Sequence, residues 1–117
     1  MSLPKLLLRA EGATVLIASV LAYRALHASW AWFAVLFLTP DLGMLGYLAG
    51  VKVGSACYNA VHTYLLPLGL GALCFAAHQL APLPWLLIWI AHIGFDRMAD
   101  YGLKYATTFK DTHLGRV

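Results

Sequence analysis

Charge is scarce in this chain of 117 residues, with Lys, Arg, Asp and Glu together making up 11% against 62% hydrophobic residues. A water-facing domain needs roughly a quarter of its residues charged, so an ordinary soluble fold is excluded. Cysteine is almost absent. Cys57 and Cys74 stand 17 positions apart on what reads as one helix, so they can neither bridge each other nor share a metal, and both read as packing residues. The formal net charge of +3 is small and dispersed, so no nucleic-acid partner is expected. There is no internal repeat, no low-complexity stretch and no small-residue cleavage site after the Leu6-Leu7-Leu8 run. The N-terminus is therefore expected to be retained rather than removed as a signal peptide.

What the chain has instead is long apolar runs, enough for about four membrane spans at ~20 residues each. The first runs from Leu6 to Leu26 and breaks at His27, Ala28 and Ser29. A second runs from Trp30 to Gly50 with Pro40 and Asp41 near its centre, and Val51 to Ser55 reads as a turn. The third, Ala56 to Ala77, carries His62 and Pro67; after the connection His78 to Pro84 comes a fourth, Trp85 to about Leu103. The expected fold is all-α, with a four-helix transmembrane domain over residues 1–103 and a tail over 104–117. Lys5, Arg9, Lys52, Lys104, Lys110 and Arg116 all fall on one side, which makes both termini cytoplasmic by the positive-inside rule. Trp30, Trp32 and Trp85 gather at the opposite interface, and Tyr47, Tyr58, Tyr101 and Tyr105 at the inner one. Gly43, Gly46, Gly50 and Gly54 recur at the spacing that lets membrane helices pack closely, with backbone approach to a headgroup as the alternative.

Against this background the ionisable residues stand out. At ~1.5 Å per residue, Asp41, His62 and His92 all count to mid-membrane, and Asp96 to about one turn nearer the cytoplasm. Ionisable groups in hydrocarbon are costly and usually line an ion path, a relay or a metal site. His92, Asp96 and Asp100 share one helical stripe, as do Ser55, Asn59 and His62. Pro40 loosens the turn that presents Asp41. Imidazole nitrogens with carboxylate oxygens form the ligand set of zinc, manganese or ferrous iron. The expectation is a divalent metal, zinc first, held by Asp41, His62, His92 and Asp96; the alternative is a metal-free packing network of the same groups. Asn59 is then a supporting or substrate contact, and Asp100 a further ligand or the general base. Arg97 either pairs with Glu11 or binds phosphate. The tail either frays or folds back as a lid, bringing His113 or Asp111 to the site.

Several segments carry a resemblance: Leu7-Leu8-Arg9-Ala10-Glu11-Gly12, Pro40-Asp41-Leu42, Gly46-Tyr47-Leu48-Ala49-Gly50, Tyr58-Asn59-Ala60-Val61-His62-Thr63-Tyr64, His92-Ile93-Gly94-Phe95-Asp96-Arg97 and Phe109-Lys110-Asp111-Thr112-His113-Leu114-Gly115. Over nearly its whole length the chain resembles the bacterial four-span membrane family called domain of unknown function 4260, which implies no particular activity. The order Pro-Asp, then a His-bearing span, then His-x-x-x-Asp is also similar to the LexA-regulated, membrane-bound metal-dependent hydrolases, onto which Asp41, His62, His92 and Asp96 map. That pattern has a second aspartate two residues after the first, where this chain has Gly43, one carboxylate fewer for a second metal.

The function expected is a hydrolase of the bacterial cytoplasmic membrane acting on a lipid or phosphorylated amphiphile, with membrane lipids as its surroundings. The site would open to the cytoplasmic half, with Arg97 or Lys104 holding an anionic group. The alternative is an ion or proton transporter or channel, which with so few helices requires a homo-oligomer.

Overall fold

A computed structural model describes residues 1–117, and the chain is all-helical, its only bridge pairing being the isolated one between Lys104 and Thr112. Helix α1 spans Leu3–Ala25; Pro4 lies in its first turn and Ser2 caps it, accepting from the Lys5 amide at 3.3 Å. This places proline where its missing N–H costs nothing. Helix α2, Trp30–Leu36, is capped by Ser29 and gives way to a 3-10 helix over Thr39–Ala49. Helix α3 is Val51–His62, α4 Leu65–Ala76 and α5 Leu83–Met98, and a short 3-10 turn, Leu114–Arg116, closes the tail.

Pro40 does what its chemistry requires: it ends the α-helical hydrogen bonding after Leu36, and the span continues in 3-10 form for 11 residues. So long a 3-10 run is uncommon and marks a stretch held by tertiary contacts. The expected turn at Val51 to Ser55 is instead the first turn of α3, because Gly50 alone makes the reversal, at φ +111°. Only glycine enters that region freely. The third run is not one helix. It breaks at Thr63 and Tyr64, just before Pro67, and α3 and α4 meet at a 42° bend. The fourth ends at Met98 rather than near Leu103, since Asp100 turns left-handed at φ 76°. His27 and His78 close α1 and α4 in the same way, both at φ 54°.

Two segments are long and apolar enough to cross a membrane, Leu3–Ala25 and Trp30–Ala49, and a third is added if the bent pair α3–α4 forms one span rather than a re-entrant loop. Helix α5, of 16 residues, is about 24 Å long, short of the ~30 Å hydrocarbon thickness. Burial is distributed as hydrocarbon surroundings require. Eight polar or charged side chains are buried, as many as the buried apolar ones, while Leu48 is 89% and Leu65 79% exposed.

Helix α5 is the hub. Leu86, Trp89 and Ile93 form its apolar core with Val61, Tyr64 and Cys74. On its other side it crosses α1 in backbone contact. A Cβ on Gly94 would stand 2.8 Å from both the Gly12 carbonyl oxygen and the Leu16 nitrogen, and one on Gly12 2.9 Å from the Gly94 oxygen. Gly43, Gly46 and Gly54 serve the second close approach, between the 3-10 helix and α3: Gly43 faces the Cys57 carbonyl, Gly46 the Cys57 side chain and Gly54 the Tyr47 ring.

Candidate metal centre

The break between α3 and α4 leaves carbonyls without helical partners, and α5 supplies them. Trp89 Nε1 donates to the Val61 oxygen at 2.7 Å, and Arg97 Nη2 donates to the His62 oxygen at 2.9 Å. His62 is thereby fixed at the end of α3. Its Nδ1 lies 2.8 Å from the Tyr58 oxygen and its ring stacks on that of Tyr58, with centroids 3.8 Å apart. A carbonyl only accepts, so Nδ1 carries the proton and Nε2 of the neutral ring presents a lone pair.

That lone pair points at the other three residues. His62 Nε2 is 3.1 Å from Asp41 Oδ1, 3.4 Å from Asp96 Oδ2 and 3.3 Å from His92 Nε2. His92 Nε2 is 3.1 Å from Asp41 Oδ1 and 3.2 Å from Asp96 Oδ2. All four donor atoms lie within 4.8 Å of one another, and both imidazoles are almost wholly buried. Asp41 comes from the first turn of the 3-10 helix, which Pro40 opens. His92 is seated by an aromatic series from the α1–α2 turn, Tyr23, Phe33 and Phe37, the last meeting its ring edge-on at 5.3 Å.

The donor set fits a cation. Ligands ~2.0–2.2 Å from a common ion at tetrahedral angles stand roughly 3.3–3.6 Å apart; five of the six separations run from 3.1 to 3.4 Å, and the sixth, between the two carboxylates, is within 4.8 Å. Without a positive centre the contacts conflict. A single proton on His92 Nε2 can serve one carboxylate at a time, while the His62 lone pair faces carboxylate oxygens. His92 Nδ1 is buried and makes no well-formed hydrogen bond, the Phe37 backbone being the one group near it.

A cavity of about 380 Å³ opens on the cluster, with Asp41, His92 and Asp96 at its base and Leu38, Met44, Phe95 and Phe109 among its walls. Lys104 closes one side. Its ammonium lies over the rings of Phe109, at 3.8 Å, and Tyr58, at 4.8 Å. Burial lowers its pKa, against the raising effect of Asp96.

The remaining residues singled out in the sequence lie elsewhere. Asp100 follows the end of α5, leaves the stripe of His92 and Asp96, and pairs with Lys5 at 3.2 Å. It is not among the grouped donors. Asn59 does not face the cluster either; its side chain clamps the backbone of Lys104, donating to that oxygen at 2.8 Å and accepting from that nitrogen at 2.6 Å. This clamp ties the start of the tail to α3. His113, however, is not brought to the four donors. Its Nδ1 accepts from the Leu103 amide at 2.8 Å, and it lines a separate pocket with Arg97. Burial, followed by the Arg97 charge, lowers its pKa. Asp111 is held by Arg116 and Thr107, which bring its pKa down to about 2. Arg97 makes no ion pair with Glu11; beyond His62 it donates to the Tyr101 oxygen at 3.3 Å. The sequence signal for this role was the break before Pro67, which leaves carbonyls in need of a buried donor.

The family model described as Domain of unknown function (DUF4260) matches residues 5–117. None of the curated proteins and none of the solved structures matches this chain.

Proposed function

Because the chain belongs to the DUF4260 family, whose description assigns no activity, we propose a function from its own site: a membrane-embedded, metal-dependent hydrolase of lipids or phosphorylated amphiphiles. The observation that carries this reading is the closure of two imidazoles and two carboxylates on one point at the base of a largely apolar cavity. Asp41, His62, His92 and Asp96 would hold a divalent ion, whose chemistry there would be to acidify a water toward neutral pH and to polarise the scissile bond. Two nitrogen and two oxygen donors suit zinc, and equally manganese or ferrous iron.

The chain's own groups divide the rest. Asp41, the most exposed of the four at 32%, turns Oδ1 to both imidazoles, which leaves Oδ2 to take the proton of the attacking water. Lys104 neutralises the anionic group of the substrate. Leu38, Met44 and Phe95 reach from the cavity to the outer surface, so the apolar part of an amphiphile enters sideways from the bilayer. Arg97 and Asn59 are positioning residues, the first for His62 and the second for Lys104. The basic residues support a bacterial cytoplasmic membrane protein with four crossings and both termini inside, in which α5 crosses by local thinning of the bilayer. Closure of the donor set within one chain supports this reading over the oligomeric channel.

The test is phosphate or fatty-acid release from a bacterial lipid extract by the purified protein in nanodiscs. Turnover should vanish with chelator, return with added metal, and be absent in His62→Ala. Turnover that survives both chelation and that substitution sinks the reading.

A further inference from the structure

A second pocket, of about 170 Å³, lies between α1, the α3–α4 break, α5 and the tail. Space for about five or six waters suits a headgroup, not a whole lipid. Its wall carries Glu11, Tyr64 and His113, which the metal centre leaves unused, and Arg97, whose two hydrogen bonds to carbonyls leave its charge without a counter-ion. Arg97 spends its named hydrogen bonds on two carbonyls and has no carboxylate partner within 4.0 Å. Glu11, on the facing helix, makes no ion pair or hydrogen bond through its side chain. The Tyr64 hydroxyl is buried with no partner. His113 accepts at Nδ1 from Leu103, so in its neutral form Nε2 bears the proton and is the one nitrogen it can offer the pocket.

Arg97 is buried without a carboxylate partner, a costly state, and Glu11 stands exposed on the wall of the same space; a ligand that carries both signs answers both charges. An anion alone satisfies Arg97 and leaves Glu11 opposing it; a cation alone does the reverse. Leu8 and Val15 complete the wall on the α1 side, and Glu11 is exposed at its rim. The pocket thus adjoins the lipid surface at the end of α1 where Lys5, Arg9 and Glu11 collect. We propose that this pocket binds a phosphoethanolamine group, its phosphate held by Arg97 and His113 and its ammonium by Glu11. None of the four metal donors lines this pocket, which meets the hydrolase reading only through Arg97, the residue that also positions His62.

The source of the group, a phospholipid or free O-phosphoethanolamine, is separated by experiment. The full chain is reconstituted in nanodiscs of equal phosphatidylethanolamine and phosphatidylglycerol, and the lipid it retains on release is quantified by native mass spectrometry. Wild type should retain the ethanolamine lipid about tenfold over the glycerol lipid, the equivalent of one charge-assisted hydrogen bond. Glu11→Gln should bring the ratio to parity with metal content unchanged; the Glu11 side chain makes no hydrogen bond or ion pair within the chain, and helical circular dichroism checks the fold. Competition by free O-phosphoethanolamine would assign the soluble compound as a ligand, and enrichment that resists it would assign the lipid. Equal retention in wild type, or enrichment that persists in Glu11→Gln, overturns the proposal.

Discussion

Arg97→Met separates a positioning role from a substrate-binding one. The guanidinium is buried and donates to the His62 oxygen at 2.9 Å and the Tyr101 oxygen at 3.3 Å. Methionine fills a similar volume and donates nothing. Each carbonyl left buried without a donor costs about 1–3 kcal/mol, and removing a buried charge that has no carboxylate partner recovers part of this. The net loss expected is about 2 kcal/mol, from the shorter bond above all. Because that bond fixes the end of α3, His62 should lose its aim, and metal affinity should fall roughly 10–100-fold, as when a group supporting a ligand is removed. Arg97→Lys should recover little, since one ammonium cannot reproduce a planar fork reaching two carbonyls. Unfolding in mixed micelles reads the stability, and competition with a chromogenic chelator reads the affinity. If Arg97→Met keeps both stability and metal affinity, and changes only a substrate's KM, the positioning role is refuted.

Asn59→Leu removes both bonds to the Lys104 backbone and should raise amide exchange over residues 103–113 roughly tenfold or more, at about 1 kcal/mol per bond; unchanged exchange would show that the clamp does not hold the tail. Gly94→Ala puts a methyl 2.8 Å from the α1 backbone and should destabilise by about 1–3 kcal/mol, read in the same micelle unfolding. The Asp111 pKa lies below its ordinary 3.8, at about 2, with the Arg116 hydrogen bond as first cause. Its contribution to tail order is therefore full above about pH 4 and lost as the pH falls through about 2. Carboxyl carbon titration should show that midpoint, and Arg116→Gln should move it up toward the ordinary value. Asp100→Asn and His113→Ala should leave metal content unchanged, since neither residue reaches the donor group; loss of metal in either would return it to the site.

The convergence of Asp41, His62, His92 and Asp96 was legible in the sequence because depth follows from residue counting and facing from helical spacing. The break at Pro40 and the close packing at Gly43, Gly46 and Gly54 were legible for similar local reasons. Asp100 was not, because the stripe assumed that α5 continues, and the left-handed turn at Asp100 ends it without glycine or proline to announce the stop. The break at Thr63 had one local signal, Pro67 four residues on, which the length of the hydrophobic run outweighed. Asn59 shares a helical face with His62 by spacing, yet its amide matches the donor and acceptor of an extended backbone, and the tail supplies one. Gly12 and Gly94 each sit alone in their helices, so their pairing is tertiary and leaves no periodic trace. The same holds for Arg97: its partner carbonyls exist only once α3 has broken.

The most direct measurement is the metal content of the purified chain after equilibration with zinc, manganese or ferrous iron and desalting. Wild type is expected to retain close to one ion per chain. Asp41→Asn combined with His92→Gln, eluting at the same volume, should retain less than a tenth of that. Wild type that retains no metal above the buffer with any of the three ions, or a double variant that retains as much as wild type, would contradict a metal centre at these four residues.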